Sequence, residues 1–328
     1  MTCHKAGPLV TVLMPVRNAA QYLEEAMRSL RRQTLPGFRI LAIDDGSTDD
    51  SVQILGQFAG SNLEVVARPH RGLVATLNEG VALASTPYIA RMDADDRSLE
   101  GRLEAQLAFL QAHPEHVLVG TARTVIGPDG RRICELPVLT EDLAIRRALA
   151  VANCFVHGSV MFRRETAVRA GGYRGEARFI EDYDLWCRLA ELGKLANLPQ
   201  QLYEWRANPH GESRSNRELQ RQAGEALADE IWSAWFGDVG PAPRSVWPLV
   251  WPPGMDPRLA AELHLLFARG YLKRGARAIA GQHALAAWRR RPLALASWFY
   301  LKSLLLPAKW FLKLEYLART LFERRRGW

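Results

Sequence analysis

The chain of 328 residues carries 43 Lys and Arg against 35 Asp and Glu, with 48% hydrophobic residues, which indicates a globular protein of one or two domains. Residues 271–328 hold 13 Lys and Arg against two acids, a net charge of +11, so the first 270 residues carry −3 and the basic balance does not indicate a nucleic-acid partner. The four cysteines form no C-x-x-C pair, which argues against a structural zinc site or disulfide framework and indicates a reducing compartment.

Strand-like and helix-like segments alternate through the first 100 residues. "LVTVLMPV" predicts a strand rather than a signal peptide, because the apolar run meets Pro15 and has no small-residue cleavage site. "AAQYLEEAMRSLRRQT" predicts an amphipathic helix capped by Asn18. Further strands are expected at 38–45, 63–68 and 88–93, with helices at 46–59, opened by Ser47 or Thr48, and at 72–84. This alternation predicts an α/β fold with a mostly parallel sheet and helices on both faces.

The second part of the chain has a looser pattern. It predicts a helix over 100–113, a strand over 117–126, a hairpin turn at 127–132, a strand over 154–164, a helix over 181–193 and strands within 195–205. Residues 237–257 contain six prolines and three glycines, which indicates a domain boundary. We therefore expect a catalytic domain over 1–236, a Pro/Gly-rich linker over 237–257 and a basic α-helical extension over 258–328.

Two acidic clusters follow predicted strands. Ligands of open α/β sheets bind beyond the carboxyl ends of the strands. Asp44 and Asp45 could accept from a base N–H or from ribose hydroxyls, or the segment could be an ordinary helix start capped by Ser47 or Asp45. Asp93 and Asp95 flank one residue and suit Mg²⁺ or Mn²⁺ bound to a diphosphate, although a lone D-x-D often arises by chance.

A third acidic group opens a predicted helix at "FIEDYDLWCRL". Acids in a first helical turn interact favourably with the helix dipole, which is a sufficient structural reason for them. The functional interpretation makes Asp182 a general base that removes a proton from an incoming hydroxyl, with Glu181 as its neighbour.

Five segments in order carry a resemblance to a known family: "VTVLMPVRNAAQYLEEAMRSLRRQT", "AIDDGSTDDS", "RGLVATLNEGVALASTPYIARMDADD", "HGSVMFRR" and "EDYDLWCRLAELGK". Over roughly residues 8–215 the chain resembles the inverting glycosyltransferases of family 2. The resemblance implies a GT-A fold and transfer of a sugar from a nucleotide-diphosphate donor, most often UDP-linked, with Mn²⁺ or Mg²⁺ ligated by Asp95. It implies Asp182 as the base for in-line attack at the anomeric carbon. Because "QLYEWRANPHGES" replaces the Q-x-x-R-W motif of processive synthases, we expect addition of a single sugar.

The resemblance also implies binding residues. Those expected at the nucleotide sugar are Pro15, Asn18, Asp44, Asp45, Arg71, Asn78, Asp93 and Ala94. Arg206 and His210 are candidate contacts to the acceptor or the diphosphate, with a solvated loop as the alternative. His157, in the strand expected over 154–164, is interpreted as a hydrogen-bonded structural histidine.

The C-terminal segment 293–328 mixes aromatic and basic residues, and Pro307 and lysines interrupt its apolar stretch. It predicts either an amphipathic helix lying in an anionic membrane interface or a terminal helix packed on the catalytic domain. With the first alternative we expect a cytoplasmic enzyme, peripheral on the inner face of the plasma membrane, acting on a glycan or lipid-linked intermediate of cell-surface polysaccharide assembly.

Two other functions are compatible with an α/β fold of this kind. A nucleotidyltransferase acting on sugar phosphates would need a glycine-rich loop after the first strand, and "PVRNAAQYL" lacks the glycines. A non-catalytic scaffold would have no need to keep Asp93, Asp95 and Asp182 together.

Overall fold

The computed structural model describes residues 7–60, 62–136, 138–150, 152–208 and 216–236. The strands are β1 Val10–Val16, β2 Arg39–Asp45, β3 Leu63–Arg68, β4 Tyr88–Arg91, β5 Arg97–Ser98, β6 His116–Ile126, β7 Arg132–Leu136, β8 Met161–Arg163 and β9 Lys194–Arg206. The helices are α1 Ala20–Arg31, α2 Ser51–Gln57, α3 Leu73–Leu83, α4 Arg102–Ala112, α5 Asp142–Leu149, α6 Arg164–Arg169, α7 Glu181–Leu192 and α8 Arg217–Phe236. The expected alternation of strands and helices in the first 100 residues is confirmed.

The nine strands of the described region form one sheet in the order β3-β2-β1-β4-β8-β6-β9-β5, with β7 paired to β6. Strands β3, β2, β1 and β4 are parallel, and β8 is antiparallel to both β4 and β6. Since β9 is parallel to β6, six strands run in one direction and β5, β7 and β8 run in the other. The fold is therefore the expected α/β fold with a mostly parallel sheet.

The core lies between β1 and the helices that cover it. In β1 every residue except Pro15 is buried, as in other central strands of parallel sheets. Helix α1 buries Leu23, Met27 and Leu30, which lie on one face at spacings of three and four residues. These side chains belong to the same hydrophobic cluster as alternate residues of β1, so the helix covers one face of the sheet.

The amino end of α1 is stabilised differently from the prediction. Asn18 is not a cap: its φ is 48°, and its side-chain oxygen accepts the N–H of Thr48 at 2.8 Å. The first helical N–H groups instead donate to side chains of the β2–α2 loop, Ala19 to Ser51 and Ala20 to Asp49. Helix α2 begins at Ser51, later than the Ser47 or Thr48 start that was expected. Its loop is thus fixed by contacts with the end of β1.

The prediction of a single strand over residues 154–164 is wrong. A 3₁₀ turn spans His157–Ser159, and only Met161–Arg163 forms a strand before α6 begins at Arg164. Phe155 before the turn and Val160–Phe162 after it are all buried, so the segment has the apolar pattern of one continuous strand. The hairpin turn at 127–132 is confirmed, with the Gly130 N–H bonded to the Gly127 carbonyl at 2.9 Å.

Three helices of the described region, α5, α6 and α8, had no counterpart in the sequence prediction. The linker 237–257, the extension 258–328 and His210 lie outside the described residues. None of the helices in the described part of the chain has the length and apolar content that crossing a bilayer requires.

Candidate active site

The predicted acidic residues meet where β1, β2 and β4 end. Strand β4 pairs with β1 only as far as Leu13 opposite Arg91, whereas β1 continues to Val16. The Leu13 carbonyl accepts the Met92 N–H at 3.1 Å, so the backbone of Leu13 faces β4. Pro15, two residues later in the same strand, faces the same way, but β4 has already ended at that level. A proline costs no ladder bond at that position. The chain crosses from the β3 side of β1 to the β4 side, which makes this gap the topological switch point of the sheet.

Asp45, at the end of β2, organises the loop that follows β3. Its buried carboxylate accepts the backbone N–H groups of Arg71 at 2.8 Å and Gly72 at 2.9 Å, pairs with Arg68, and contacts Nδ1 of His70 at 2.7 Å. Burial by itself would raise the pKa of Asp45, but these hydrogen bonds and the Arg68 charge lower it. Both oxygens are engaged by the protein, so Asp45 positions the loop that carries Arg71.

Asp44 differs from Asp45 in its unused acceptor. Its Oδ2 accepts the Ser47 N–H at 3.0 Å, whereas Oδ1 is buried and has no hydrogen-bond partner within the described part of the chain. A buried acceptor without a donor is costly, and a ligand N–H or hydroxyl would remove that cost. Asn18 lies beside this loop, where its backbone N–H donates to the Ser47 hydroxyl at 2.9 Å.

The carboxylates after β4 lie close together in sequence, and each has its own partner in the protein. Asp93 forms an ion pair with the buried guanidinium of Arg91. Asp95 Oδ2 accepts a hydrogen bond from the Asn208 side chain at 2.9 Å. Burial, followed by the charge of Asp93, raises the pKa of Asp95. A divalent cation would relieve this repulsion, and carboxylate oxygens are the ligands that Mg²⁺ and Mn²⁺ prefer.

Asp96 connects the acidic loop after β4 to strand β9. Its buried carboxylate accepts the Tyr203 hydroxyl at 2.8 Å and the Arg206 N–H at 2.7 Å. Burial, followed by the charges of Asp93 and Asp95, raises the pKa of Asp96 well above its ordinary value. Ala94, between the acids, is buried. Asp96 is therefore a structural carboxylate that ties the acidic loop to β9.

Arg206 is not exposed to a substrate in this arrangement. It is 3% exposed, its Nε donates to the Asp95 carbonyl at 2.7 Å, and its Nη2 pairs with Glu25 of α1. Its remaining donors reach the carbonyls of Gly127 and Pro128 at 3.2 Å. The polar loop expected around Arg206 begins after it, because β9 continues to that residue. The geometry gives Arg206 a positioning role in place of the expected substrate contact.

Asn78 is also engaged within the protein. Its side chain donates to the Tyr173 carbonyl at 2.7 Å and accepts the Tyr173 N–H at 2.8 Å. The Tyr173 hydroxyl in turn lies 3.1 Å from Nε2 of His157. The pKa of His157 is well below its ordinary value because the imidazole is buried and faces the Arg91 charge. Asn78 and His157 thus fix the wall of the site, and the hydrogen-bonded structural interpretation of His157 agrees with this contact.

Asp182 reaches the same site from the first turn of α7. Its Oδ2 accepts a hydrogen bond from the Asn153 side chain at 2.8 Å, and its Oδ1 accepts the Tyr183 N–H at 2.7 Å. Burial raises the pKa of Asp182, the charge of Asp93 adds to the increase, and the charge of Arg91 opposes it. Asp93 and Arg91 therefore lie close enough to Asp182 to interact with it. The neighbouring Glu181 is buried in the same turn.

Asn153 is a residue of the site that the sequence did not reveal. Its side-chain oxygen accepts the Phe155 N–H at 3.0 Å, which leaves its NH₂ group directed at Asp182. Asn153 acts through a partner that is distant in sequence. The same holds for Tyr173, Tyr203 and Asn208, which the sequence did not reveal either. A polar residue inside the apolar run "NCFVHGSVMF" was the only signal for Asn153.

The model of the family described as "Glycosyl transferase family 2" matches residues 11–168. A relative from Erwinia amylovora, the amylovoran biosynthesis glycosyltransferase AmsE, is 35% identical over 190 residues, which are 56% of this chain and 70% of AmsE. The residues matched by the family model include the acidic loops after β2 and β4.

Two solved structures share the fold. Residues 1–349 of S. aureus TarS, in complex with UDP-GlcNAc, align with a TM-score of 0.58 at 17% identity, covering 90% of each chain. The mannosyltransferase PcManGT from Pyrobaculum calidifontis, in complex with GDP-Man and Mn²⁺, aligns with a TM-score of 0.55 at 19% identity, covering 99% of this chain and 84% of that one.

Proposed function

Because the chain belongs to glycosyltransferase family 2, we propose that it transfers one sugar from a nucleotide-diphosphate donor to a hydroxyl group with inversion at the anomeric carbon. The observation that carries this proposal is the interaction of Asp93, in the acidic loop after β4, with Asp182 of α7. One side of such a site can hold a charged donor, and the other can receive a proton from the acceptor.

The nucleotide would lie at the switch point between β1 and β4. The unpartnered Oδ1 of Asp44 is suited to a base N–H, and the Asp45-supported loop presents Arg71 for the phosphates or ribose. A UDP-linked donor is our first choice, because TarS is bound to UDP-GlcNAc, and the GDP-Man of PcManGT makes a guanine donor the alternative. Both bases offer an N–H to a carboxylate.

We propose that Asp95, with Asp93 beside it, holds Mn²⁺ or Mg²⁺. The fit rests on hard oxygen ligands and on a carboxyl whose pKa is raised by burial and by the Asp93 charge. When bound, the ion would neutralise the charge that develops on the leaving diphosphate. PcManGT is bound to Mn²⁺ as well as GDP-Man, which is consistent with this choice.

Asp182 would accept the proton of the attacking hydroxyl. A carboxylate with a raised pKa is a stronger base than an ordinary aspartate. Asn153 fixes the carboxylate plane by holding Oδ2, and Glu181 adds negative charge in the same turn. A single displacement needs no protein nucleophile, and it inverts the anomeric configuration.

We further propose a glycan or lipid-linked acceptor in polysaccharide assembly, since AmsE is named for amylovoran biosynthesis. The basic and aromatic segment 293–328 would then bring a cytoplasmic enzyme to the inner face of the plasma membrane.

The decisive assay measures nucleoside diphosphate released from UDP-sugars and GDP-mannose with Mn²⁺ present. We expect Asp182→Asn to lower kcat by about 10²–10⁴-fold, the usual range for a lost general base. We expect Asp95→Ala to abolish the dependence of donor affinity on Mn²⁺. Asp129→Asn, on the exposed hairpin, is the matched control.

The same assay separates the rival functions. A nucleotidyltransferase would release pyrophosphate from a nucleoside triphosphate and a sugar phosphate. A scaffold would release nothing with any donor. Donor affinity that is unaffected by chelator and by Asp95→Ala would refute the proposed metal role.

A further inference from the structure

Three side chains of types that can bind a metal lie between α4 and β6, at the amino ends of the parallel strands. The candidate active site lies at the opposite, carboxyl ends. The cluster consists of His113, Glu115 and His116, and one ligand atom of each lies within 4.8 Å of the other two. His116 begins β6, which runs in the same direction as β4. The amino end of β6 is therefore far from the carboxyl ends where Asp93 and Asp44 lie.

We propose that His113, Glu115 and His116 form a second metal site, specific for Zn²⁺ or a similar transition ion. Two imidazoles and one carboxylate are a common ligand set for zinc, with water in the fourth position. The active-site acids offer only oxygen atoms, which favour Mg²⁺ or Mn²⁺, whereas imidazole favours zinc and its neighbours in the transition series. The two sites would thus select different ions.

The interatomic distances suit one tetrahedral ion. Nδ1 of His116 lies 3.3 Å from Glu115 Oε1, and Nδ1 of His113 lies 3.7 Å from the same oxygen. Ligand atoms bonded at 2.0–2.2 Å to a tetrahedral zinc are separated by about 3.4 Å. Nδ1 of His116 is buried and has no hydrogen-bond partner within the described residues, so it is close to Glu115 without being aligned as a donor to it. The ligand atoms of the two imidazoles lie within 4.8 Å of each other, and a rotation of the exposed His113 side chain would bring them to the tetrahedral separation.

The backbone on both sides of the cluster is held in place. The His116 carbonyl accepts Nε of Arg163 at 2.9 Å, and the Glu115 carbonyl accepts the Lys194 N–H at 2.8 Å. The Phe109 ring packs against both imidazoles, with centroids 4.5 Å from His113 and 5.1 Å from His116. This support reduces the ordering that an ion must impose. An ion bound there would join the end of α4 to the start of β6.

The test uses the full-length protein after treatment with chelator. Co²⁺ replaces Zn²⁺ as the probe, because a tetrahedral site gives Co²⁺ intense visible absorption bands that a six-coordinate oxygen site does not. We expect the bands to appear with one equivalent of Co²⁺ and to disappear when Zn²⁺ is added. Calorimetry with Zn²⁺ then gives the affinity of each variant.

We expect His113→Ala and Glu115→Gln to weaken Zn²⁺ binding at least tenfold and to remove the bands, and Asp95→Ala to leave both unchanged. Both variants change exposed side chains, so folding is retained, and circular dichroism checks it. Weak six-coordinate Co²⁺ bands in the wild type, or equal Zn²⁺ affinity in His113→Ala, would overturn the proposal. This readout does not depend on glycosyl transfer, so it can fail or succeed independently of the proposed function.

Discussion

Replacing Asn153 with Ala removes the hydrogen bond that its side-chain NH₂ group donates to Oδ2 of Asp182. A hydrogen bond to a charged group contributes about 1.5–3 kcal/mol, and one pKa unit corresponds to about 1.4 kcal/mol. Because Asn153 is exposed, water can replace part of the bond, so the lower end of the range applies. We therefore expect the pKa of Asp182 to rise by about one unit.

The sign of the effect on activity follows from the proton that Asp182 must accept. Only the ionised carboxylate can act as a base, so activity falls as the pH drops through the pKa of Asp182. In Asn153→Ala the acid limb of the kcat profile should move to higher pH by about one unit, with the Michaelis constant for the donor nearly unchanged. Release of nucleoside diphosphate, followed at a series of pH values on both sides of neutrality, measures kcat and the Michaelis constant.

Two further variants sharpen this test. Asn153→Asp introduces a second negative charge and should shift the limb further than Asn153→Ala. Asn62→Ala, at the edge of the sheet distant from the site, is the matched control and should leave the profile unchanged. An acid limb that stays in place in Asn153→Ala, or a loss confined to donor affinity, would contradict the orientation of Asp182 by Asn153.

Three other outcomes follow from buried contacts. Asp45→Asn should lower the free energy of unfolding by about 1–3 kcal/mol in urea titrations at pH 7. Since folding lowers the pKa of Asp45, its stabilisation is complete above the ordinary value of 3.8 and is lost as the pH falls through the lower folded pKa, so the variant should lose less stability in acid than the wild type. Gly158→Ala should reduce donor turnover, because an added Cβ would overlap the Tyr203 hydroxyl and approach Asp93 Oδ2 to 2.8 Å. Tyr203→Phe leaves Asp96 without one of its two donors and should lower the melting temperature; an unchanged melting temperature would show that the bond contributes nothing.

Ion pairs connect the acidic loop after β4 to helix α1 and to strands β5 and β9. Glu25 of α1 pairs with both Arg97 and Arg206. Arg206 in turn holds the Asp95 carbonyl and, through its backbone, Asp96. The loop that would bind the metal is thus fixed from α1, β5 and β9 at once. Such preorganisation keeps the carboxylates together in spite of their repulsion.

The order of strands and helices in the first 100 residues, and the presence of carboxylates at two strand ends, were determined by the sequence alone. Both depend on patterns within a few residues, such as the continuous apolar run of β1 and the three-to-four-residue spacing of apolar side chains in α1. The same reasoning failed at His157–Ser159, where a 3₁₀ turn interrupts a segment whose flanking residues have the apolar composition of a strand.

Only the tertiary structure decided which polar groups remain available to a ligand. Asp44 and Asp45 are adjacent and chemically identical, yet residues 68–72 engage both oxygens of Asp45 and leave Oδ1 of Asp44 without a partner in the described region. Asn153 meets Asp182 across 29 residues, and Arg206 meets Asp96 across 110. Hydrogen-bond partners at such separations are set by how the sheet closes and how the helices pack on it, and no local pattern in the chain encodes them.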